Sequence, residues 1–186
     1  MTTSNEPAQE NKFVRKFLPW LVAVAGLVFY LATLNHWFSM NNISQVARIT
    51  KDQLGAELYS PLYYLATYPL NWIPAHRVPL ALNLFSALCG ALTLGLLARS
   101  VALLPHDRTH DQRLREEGEF SMLSIPGSWL PPVLAAAALG LQLTVWEGAT
   151  TGLRELLDLL LFAYIIRCVL EFRVDRKSTR LNSSHG

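Results

Sequence analysis

The sequence predicts an all-α fold, a polytopic transmembrane helical bundle of about four spans with amphipathic or interfacial helices in its first outer loop. Three observations carry this. Of the 186 residues, 51% are hydrophobic and only 16% charged, against about a quarter in a soluble domain. The charges are unevenly placed: Phe17–Ala47, Val78–Ala98 and Phe120–Trp146 contain no Asp, Glu, Lys or Arg. Each of these windows can hold the roughly 20 apolar residues that cross a bilayer as a helix. A soluble enzyme and an intrinsically disordered chain, which needs low hydrophobicity and high charge, are both excluded on this composition.

The elements follow in order. Residues 1–16 form a polar N-terminal tail ending in Lys12, Arg15 and Lys16. The first span is placed at 17–37, with Trp20 and Trp37 at its two ends, where interfacial aromatics belong. It is too long for the h-region of a signal peptide and lacks a small-x-small cleavage site, so it is read as retained. The connection 38–77 begins with an amphipathic helix over Met40–Lys51, with Ile43, Val46, Ala47, Ile49 and Thr50 on one side and Asn42, Gln45, Arg48 and Lys51 largely on another. SPLYYLATYPLNWIP, with Pro61, Pro69 and Pro74, is too short to span and reads as an interfacial or re-entrant helix. The second span is placed at 78–97, ended by Arg99, with Gly90 and Gly95 available for close helix packing.

A cytoplasmic loop, 98–128, holds the most charged stretch of the chain, PHDRTHDQRLREEGE. The third span, 129–146, is bracketed by Trp129 and Trp146, and Pro131 and Pro132 suit its first turn. The fourth, 153–172, carries Arg154, Glu155, Asp158 and Arg167 yet keeps the apolar run LLDLLLFAYII. The distribution of Lys and Arg near the span ends puts both termini in the cytoplasm. The last eleven residues, RKSTRLNSSHG, resemble a translated adapter read-through and are set aside as non-native. On that expectation the native chain continues beyond about Asp175 and this is an N-terminal fragment.

The net charge of +2 and the absence of a basic stripe exclude a nucleic-acid partner. Cys89 and Cys168 both lie in apolar stretches and read as small hydrophobes without a disulfide. His106 and His110, four apart on a charged segment, have metal-ligand spacing but are better read as solvated, and no metal site is assigned.

Two groups of residues could carry chemistry. In the outer connection Asp52 and Glu57 are the only carboxylates, beside Arg48, Lys51 and Arg77, and a carboxylate there could deprotonate a hydroxyl acceptor. At the outer end of the third and fourth spans stand Trp146, Glu147, Arg154, Glu155 and Asp158. Arg154 and Asp158, four apart, are expected to pair, and Glu155 and Asp158 share a face. Ionisable groups at membrane depth are functional candidates, with a helix-end salt bridge as the competing account. Arg167 is expected to pair with Glu171 and to reach toward the cytoplasmic side.

The order and spacing of four stretches resemble one family. YLATL from Tyr30, SPLYYLATYPLNWIP from Ser60, RVPLALNLFSALCGALTLGLL from Arg77 and TVWEGAT from Thr144 are similar to the N-terminal part of the bacterial protein O-mannosyltransferase-like family. This is a membrane domain of unknown function placed among the C-type glycosyltransferases. The resemblance covers about Phe29 to Arg173. It implies a polyprenyl-phosphate sugar as donor, a hydroxyl acceptor, no further cofactor, and a site on the outer face of the bacterial inner membrane. Arg48, Arg77 and Arg154 would then neutralise the donor phosphate, with Asn41, Glu147 and Asp158 also lining the substrate site.

Three departures qualify it. The family's acidic motif after its first span falls on Asn41-Asn42-Ile43-Ser44, so its Asp position is Asn41, and a carboxamide cannot act as a base. The family's His-Pro-Pro-Gly is replaced by Ala56-Glu57-Leu58-Tyr59, and the acid expected after Trp146 is displaced to Glu155. The resemblance therefore implies either a divergent transferase using Asp52, Glu57 or Glu155, or an inactive scaffold or lipid- or glycan-binding homologue. A transporter fragment is the third reading, disfavoured because no repeat relates the first two spans to the last two.

Overall fold

The computed structural model describes residues 13–14, 16–37, 39–40, 43–50, 60–107 and 129–183. Every regular element among them is helical, α1 Leu18–Ala32, α2 Ile43–Thr50, α3 Pro61–Thr67, α4 Val78–Asp107, α5 Leu130–Gly140, α6 Leu143–Thr151 and α7 Glu155–Ser183, with 3-10 turns at Tyr68–Trp72 and Ala75–Arg77. The expected helical class is therefore observed. The four-span count is not: α4 is the one described helix long and apolar enough to cross a membrane, and α5 with α6 makes a second if the bent pair counts as one span.

Each of the other expected spans differs for a physical reason. α1 has 15 residues, about 22 Å of helix against the ~30 Å hydrocarbon layer. Upstream of it, backbone bonds from Phe17 N–H to Phe13 O and from Leu21 N–H to Phe17 O add helical turn. The third span is interrupted: α5 and α6 meet at a 66° bend across Leu141 and Gln142. Gln142 takes extended backbone at the start of α6 (φ −62°, ψ 130°), which ends the α5 ladder. The fourth is one helix of 29 residues running past residue 172 to Ser183, long enough but carrying Glu155, Asp158, Arg167 and Glu171. The helix that carries the second span does not stop at Arg99: α4 continues through it to Asp107.

The chain divides into two compact units: Met1–Val24, Thr93–Leu139 and Leu161–Gly186 in the first, Ala25–Leu92 and Gly140–Leu160 in the second. In the first, α4 and α1 approach closely at Gly95. A Cβ there would lie 3.0 Å from both Ala23 Cβ and the Pro19 carbonyl oxygen, so only glycine permits this crossing without a shift. In the second, Ile49, Tyr63, Val78 and Leu82 form a buried cluster with Val46, Leu70, Phe85 and Leu157 packed against it. The Tyr63 and Phe85 rings meet edge to face at 6.1 Å. The amphipathic reading of α2 holds for Ala47 and Ile49, which are buried, whereas Ile43 is exposed. On α3 and the following 3-10 turn, Tyr63 and Thr67 are buried while Leu62, Leu65, Tyr68 and Trp72 are exposed. This is the two-sided pattern of an amphipathic surface helix.

Tyr30 is fully buried in the second unit. Its hydroxyl donates to the Gly140 carbonyl at 3.1 Å, one of the acceptors left open where α5 stops. Its ring lies over Gly90, where a Cβ would be 3.1 Å from Tyr30 Cε2 and 3.3 Å from Ala149 Cβ. The expected packing role of Gly90 is thus observed on α4.

Candidate functional site

In the second unit, the residues after α1, the first turns of α4 and the α6–α7 turn are joined by polar bonds. Gly152 closes α6 in the left-handed conformation (φ 77°), which a residue with a Cβ takes up only at a cost. The Leu153 N–H then folds back onto the Gly148 carbonyl at 3.2 Å. This reversal leaves the Thr150 and Leu153 carbonyls pointing away from the helix ladder. The Asn35 N–H donates to Thr150 O at 3.2 Å, and the Ser86 hydroxyl donates to Leu153 O at 3.1 Å. Asn83 Nδ2 donates to Asn35 O at 2.6 Å and to Trp37 O at 3.4 Å. Asn35 Oδ1 in turn accepts the Trp37 N–H at 3.0 Å. Asn83 and Ser86 are 0% and 1% exposed, so both side chains are committed to these carbonyls rather than to water.

A second tie runs through Trp146. Its indole N–H donates to Thr33 Oγ1 at 3.0 Å, and the Thr33 hydroxyl donates to Phe29 O at 3.0 Å. Glu147, the next residue of α6, is exposed, and its carbonyl accepts hydroxyl bonds from Thr150 at 3.1 Å and Thr151 at 2.7 Å. The backbone around Glu147, Arg154, Glu155 and Asp158 is thereby tied to the α1 exit, while Glu147, Glu155 and Asp158 are exposed residues.

The expected Arg154–Asp158 pair is corrected. Helix α7 begins at Glu155, so Arg154 stands outside it and the four-residue helical spacing does not apply. Arg154 Nε instead donates to Glu155 Oε1 at 3.2 Å. With the two side chains 38% and 60% exposed, such a pair is worth at most about 1 kcal/mol. Glu155 and Asp158 occupy the first turn of α7, where carboxylates also complement the helix dipole. Arg77 is exposed in the 3-10 turn immediately before α4. Asn41, Asp52 and Glu57 lie outside the described residues, as do Lys51 and His110, and Arg48 is described only as part of the α2 backbone. Among the described residues, no three His, Cys, Asp or Glu side chains are grouped to hold a metal. Cys89 is buried and Cys168 exposed, and the two are not joined in a disulfide.

The ties made by Asn83, Ser86, Thr33 and Tyr30 were not foreseen from residue chemistry. One signal was present: Asn83 and Ser86 are polar residues three apart in a window otherwise almost wholly apolar, the spacing that puts both on one helix face. Their acceptors are backbone carbonyls, which no side-chain pattern reveals.

Comparison with known proteins gives one match. Residues 59–184 match the model described as the protein O-mannosyl-transferase TMEM260 N-terminal domain. No curated protein and no solved structure matches the chain. The matched stretch contains Arg77, Asn83, Ser86, Glu147, Arg154, Glu155 and Asp158, starts after Asn41, Arg48, Asp52 and Glu57, and runs into the eleven-residue tail. With well over half of its residues matched in one stretch, the chain belongs to the family of the protein O-mannosyl-transferase TMEM260 N-terminal domain.

Proposed function

We propose that this chain is the membrane-embedded N-terminal part of a glycosyltransferase that moves a sugar from a polyprenyl-phosphate donor to a hydroxyl acceptor at the outer membrane face. Family membership is the observation that carries the reading. Four spans are assigned: α1 with its upstream turn, α4, the bent α5–α6 pair, and α7 packed through its charges against other helices. Lys12, Arg15, Lys16, Arg99, Arg108, Arg113, Arg115 and Arg173 lie at or near the span ends assigned to one side, against Arg48, Lys51, Arg77 and Arg154 on the other. This asymmetry supports placing both termini on the cytoplasmic side of a bacterial inner membrane.

The chemistry is a single displacement. The acceptor oxygen forms a bond to the anomeric carbon, the bond from that carbon to the donor phosphate oxygen breaks, and the polyprenyl phosphate departs with the electron pair. A carboxylate takes the acceptor proton, a role assigned to Glu155, Glu57 or Asp52. Arg77, Arg154 and Arg48 are assigned to the phosphate that gains charge as it leaves. The polar ties at Asn83, Ser86 and Trp146 support this by holding the backbone that carries Glu147–Asp158.

The test is transfer of radiolabelled mannose from polyprenyl-phosphate mannose in liposomes holding the full-length protein. Loss of the base should slow transfer by about 10²-fold or more. The assignment is wrong if Glu155→Gln, Glu57→Gln and Asp52→Asn, made singly and together, leave the rate intact. A second reading, an inactive lipid- or glycan-binding homologue, is favoured by one observation, the amide of Asn41 at the position where the resemblance implies an acid. It predicts donor binding without transfer in the unaltered protein.

A further inference from the structure

The first unit contains a charged group that the proposed transfer does not use. Glu171 on α7 receives two guanidinium groups. Arg167, one turn earlier, donates from Nε to Oε1 and from Nη2 to Oε2, each at 3.2 Å. Arg99 on α4 places Nη2 at 2.6 Å from Oε1. Two fixed cations on one anion leave the group with a net charge of +1. Arg99 Nε is buried without an acceptor among the described residues. The three side chains are 37%, 25% and 30% exposed for Arg99, Arg167 and Glu171, so further guanidinium donors are reachable from outside.

The surroundings specify what reaches them. Arg99 is the first charged residue after the charge-free run of α4, which is where such a helix leaves hydrocarbon for headgroups. Arg167 lies 6.0 Å from the centre of the Tyr164 ring. Tyr164, three residues before Arg167 and on the same side of α7, is itself exposed. A cationic fork beside an exposed aromatic ring, at the depth where headgroups begin, matches the phosphate diester of a lipid. A soluble anion would gain nothing from the ring, and guanidinium groups suit phosphate oxygens geometrically.

We propose that Arg99 and Arg167, held side by side by Glu171, form a binding site for the phosphate headgroup of an anionic glycerophospholipid. Glu171 acts as the positioning residue: it orients both forks and occupies only part of their donor capacity. The site is distinct from the outer-face donor site and rests on the membrane reading given above.

The experiment uses the whole chain in dodecyl-maltoside micelles, with phosphatidylglycerol or phosphatidylcholine added and lipid retention read by native mass spectrometry. Phosphatidylglycerol should be retained in preference to phosphatidylcholine. Arg99→Gln and Arg167→Gln should each reduce that preference by about fivefold. Glu171→Ala, which releases both forks from their common anchor, should lower it. Arg176→Gln, on the same helix but outside the cluster, should leave it within about twofold. Circular dichroism checks that each variant keeps its helices, and Arg99→Lys with Arg167→Lys keeps the charges while removing the forks. That pair should retain part of the preference.

Equal retention of the two lipids by the unaltered chain overturns the site, as does an unchanged preference after both arginines are replaced by glutamine. Displacement of phosphatidylglycerol by millimolar inorganic phosphate assigns the cluster to a soluble anion and also overturns it. Carbonate extraction separates the two levels. A chain released from membranes by carbonate refutes the membrane reading itself, whereas an integral chain without lipid preference refutes only this site.

Discussion

Tyr30→Phe isolates one oxygen atom at the place where the third apolar window departs from a straight helix. The ring is fully buried and stays so after the change, so the area removed from water is almost unchanged. What is lost is the 3.1 Å bond from the hydroxyl to the Gly140 carbonyl. That carbonyl belongs to the last turn of α5, where helix geometry supplies no backbone donor. In water-soluble interiors, leaving such an acceptor unpaired costs about 1–3 kcal/mol. Between membrane helices the measured range is lower, about 0.6 on average and up to about 1.7 kcal/mol. The expected loss is therefore about 0.6–1.7 kcal/mol, a factor of roughly 3 to 18 in the folded-to-unfolded ratio. The assay is reversible unfolding of the chain in mixed dodecyl-maltoside and dodecyl-sulfate micelles. Tyr30→Ala serves as the reference, because removing a buried aromatic ring costs about 3–5 kcal/mol. A Tyr30→Phe chain within about 0.3 kcal/mol of the unaltered one refutes the idea that this bond holds the α5 end.

Two further substitutions probe the same unit. Gly90→Ala puts a methyl group 3.1 Å from Tyr30 Cε2 and 3.3 Å from Ala149 Cβ, and should destabilise by about 1–3 kcal/mol in the same unfolding assay. Asn83→Leu keeps the volume but strips the donor from the Asn35 and Trp37 carbonyls. Amide exchange at Asn35–Trp37 should then accelerate by about tenfold or more while the far end of α4 is unaffected.

The parts of this architecture legible in the sequence are those set by composition and period. The charge-free window from Val78 is a helix because nothing in it breaks one after Pro79, and Gly90 and Gly95 serve close packing as small residues on a long apolar helix would. The amphipathic stretch after the first window is helical at Ile43–Thr50. Helix ends were less legible. Arg99 looked like a boundary because charge ends a hydropathy window, yet helical backbone tolerates arginine well and the ladder continues to Asp107. The third window looked continuous because Leu141 and Gln142 carry no breaker chemistry; the bend there depends on Gln142 backbone and on Tyr30, distant in sequence, accepting the role of partner to Gly140. At the site, Arg154 pairs with the adjacent Glu155 and not with Asp158. A spacing rule for helices was applied one residue outside the helix. Asn41, where the resemblance puts the family's acid, and Asp52 and Glu57, the carboxylates that could replace it, lie outside the described residues.

The polar residues inside the apolar helices fall into two kinds with different work. Asn83 and Ser86 are neutral, fully buried and directed at backbone carbonyls where chain segments turn. A neutral donor on a carbonyl that has left its helix ladder removes an unmet acceptor without introducing charge, so it can be sealed away from water and lipid alike. Arg99, Arg167 and Glu171 are charged, a quarter to a third exposed, and bonded to one another. Sealing them fully would cost more than their mutual attraction returns, so they keep an opening, and the excess of one cation makes that opening selective for anions. The first kind fixes where residues such as Glu147 and Glu155 stand. The second leaves donor capacity unused on a helix pair, and unused guanidinium donors beside the exposed Tyr164 ring are a recognition surface rather than a strut. This distinction explains why replacing Asn83 should loosen local backbone, whereas replacing Arg99 and Arg167 together should change which lipid the chain retains.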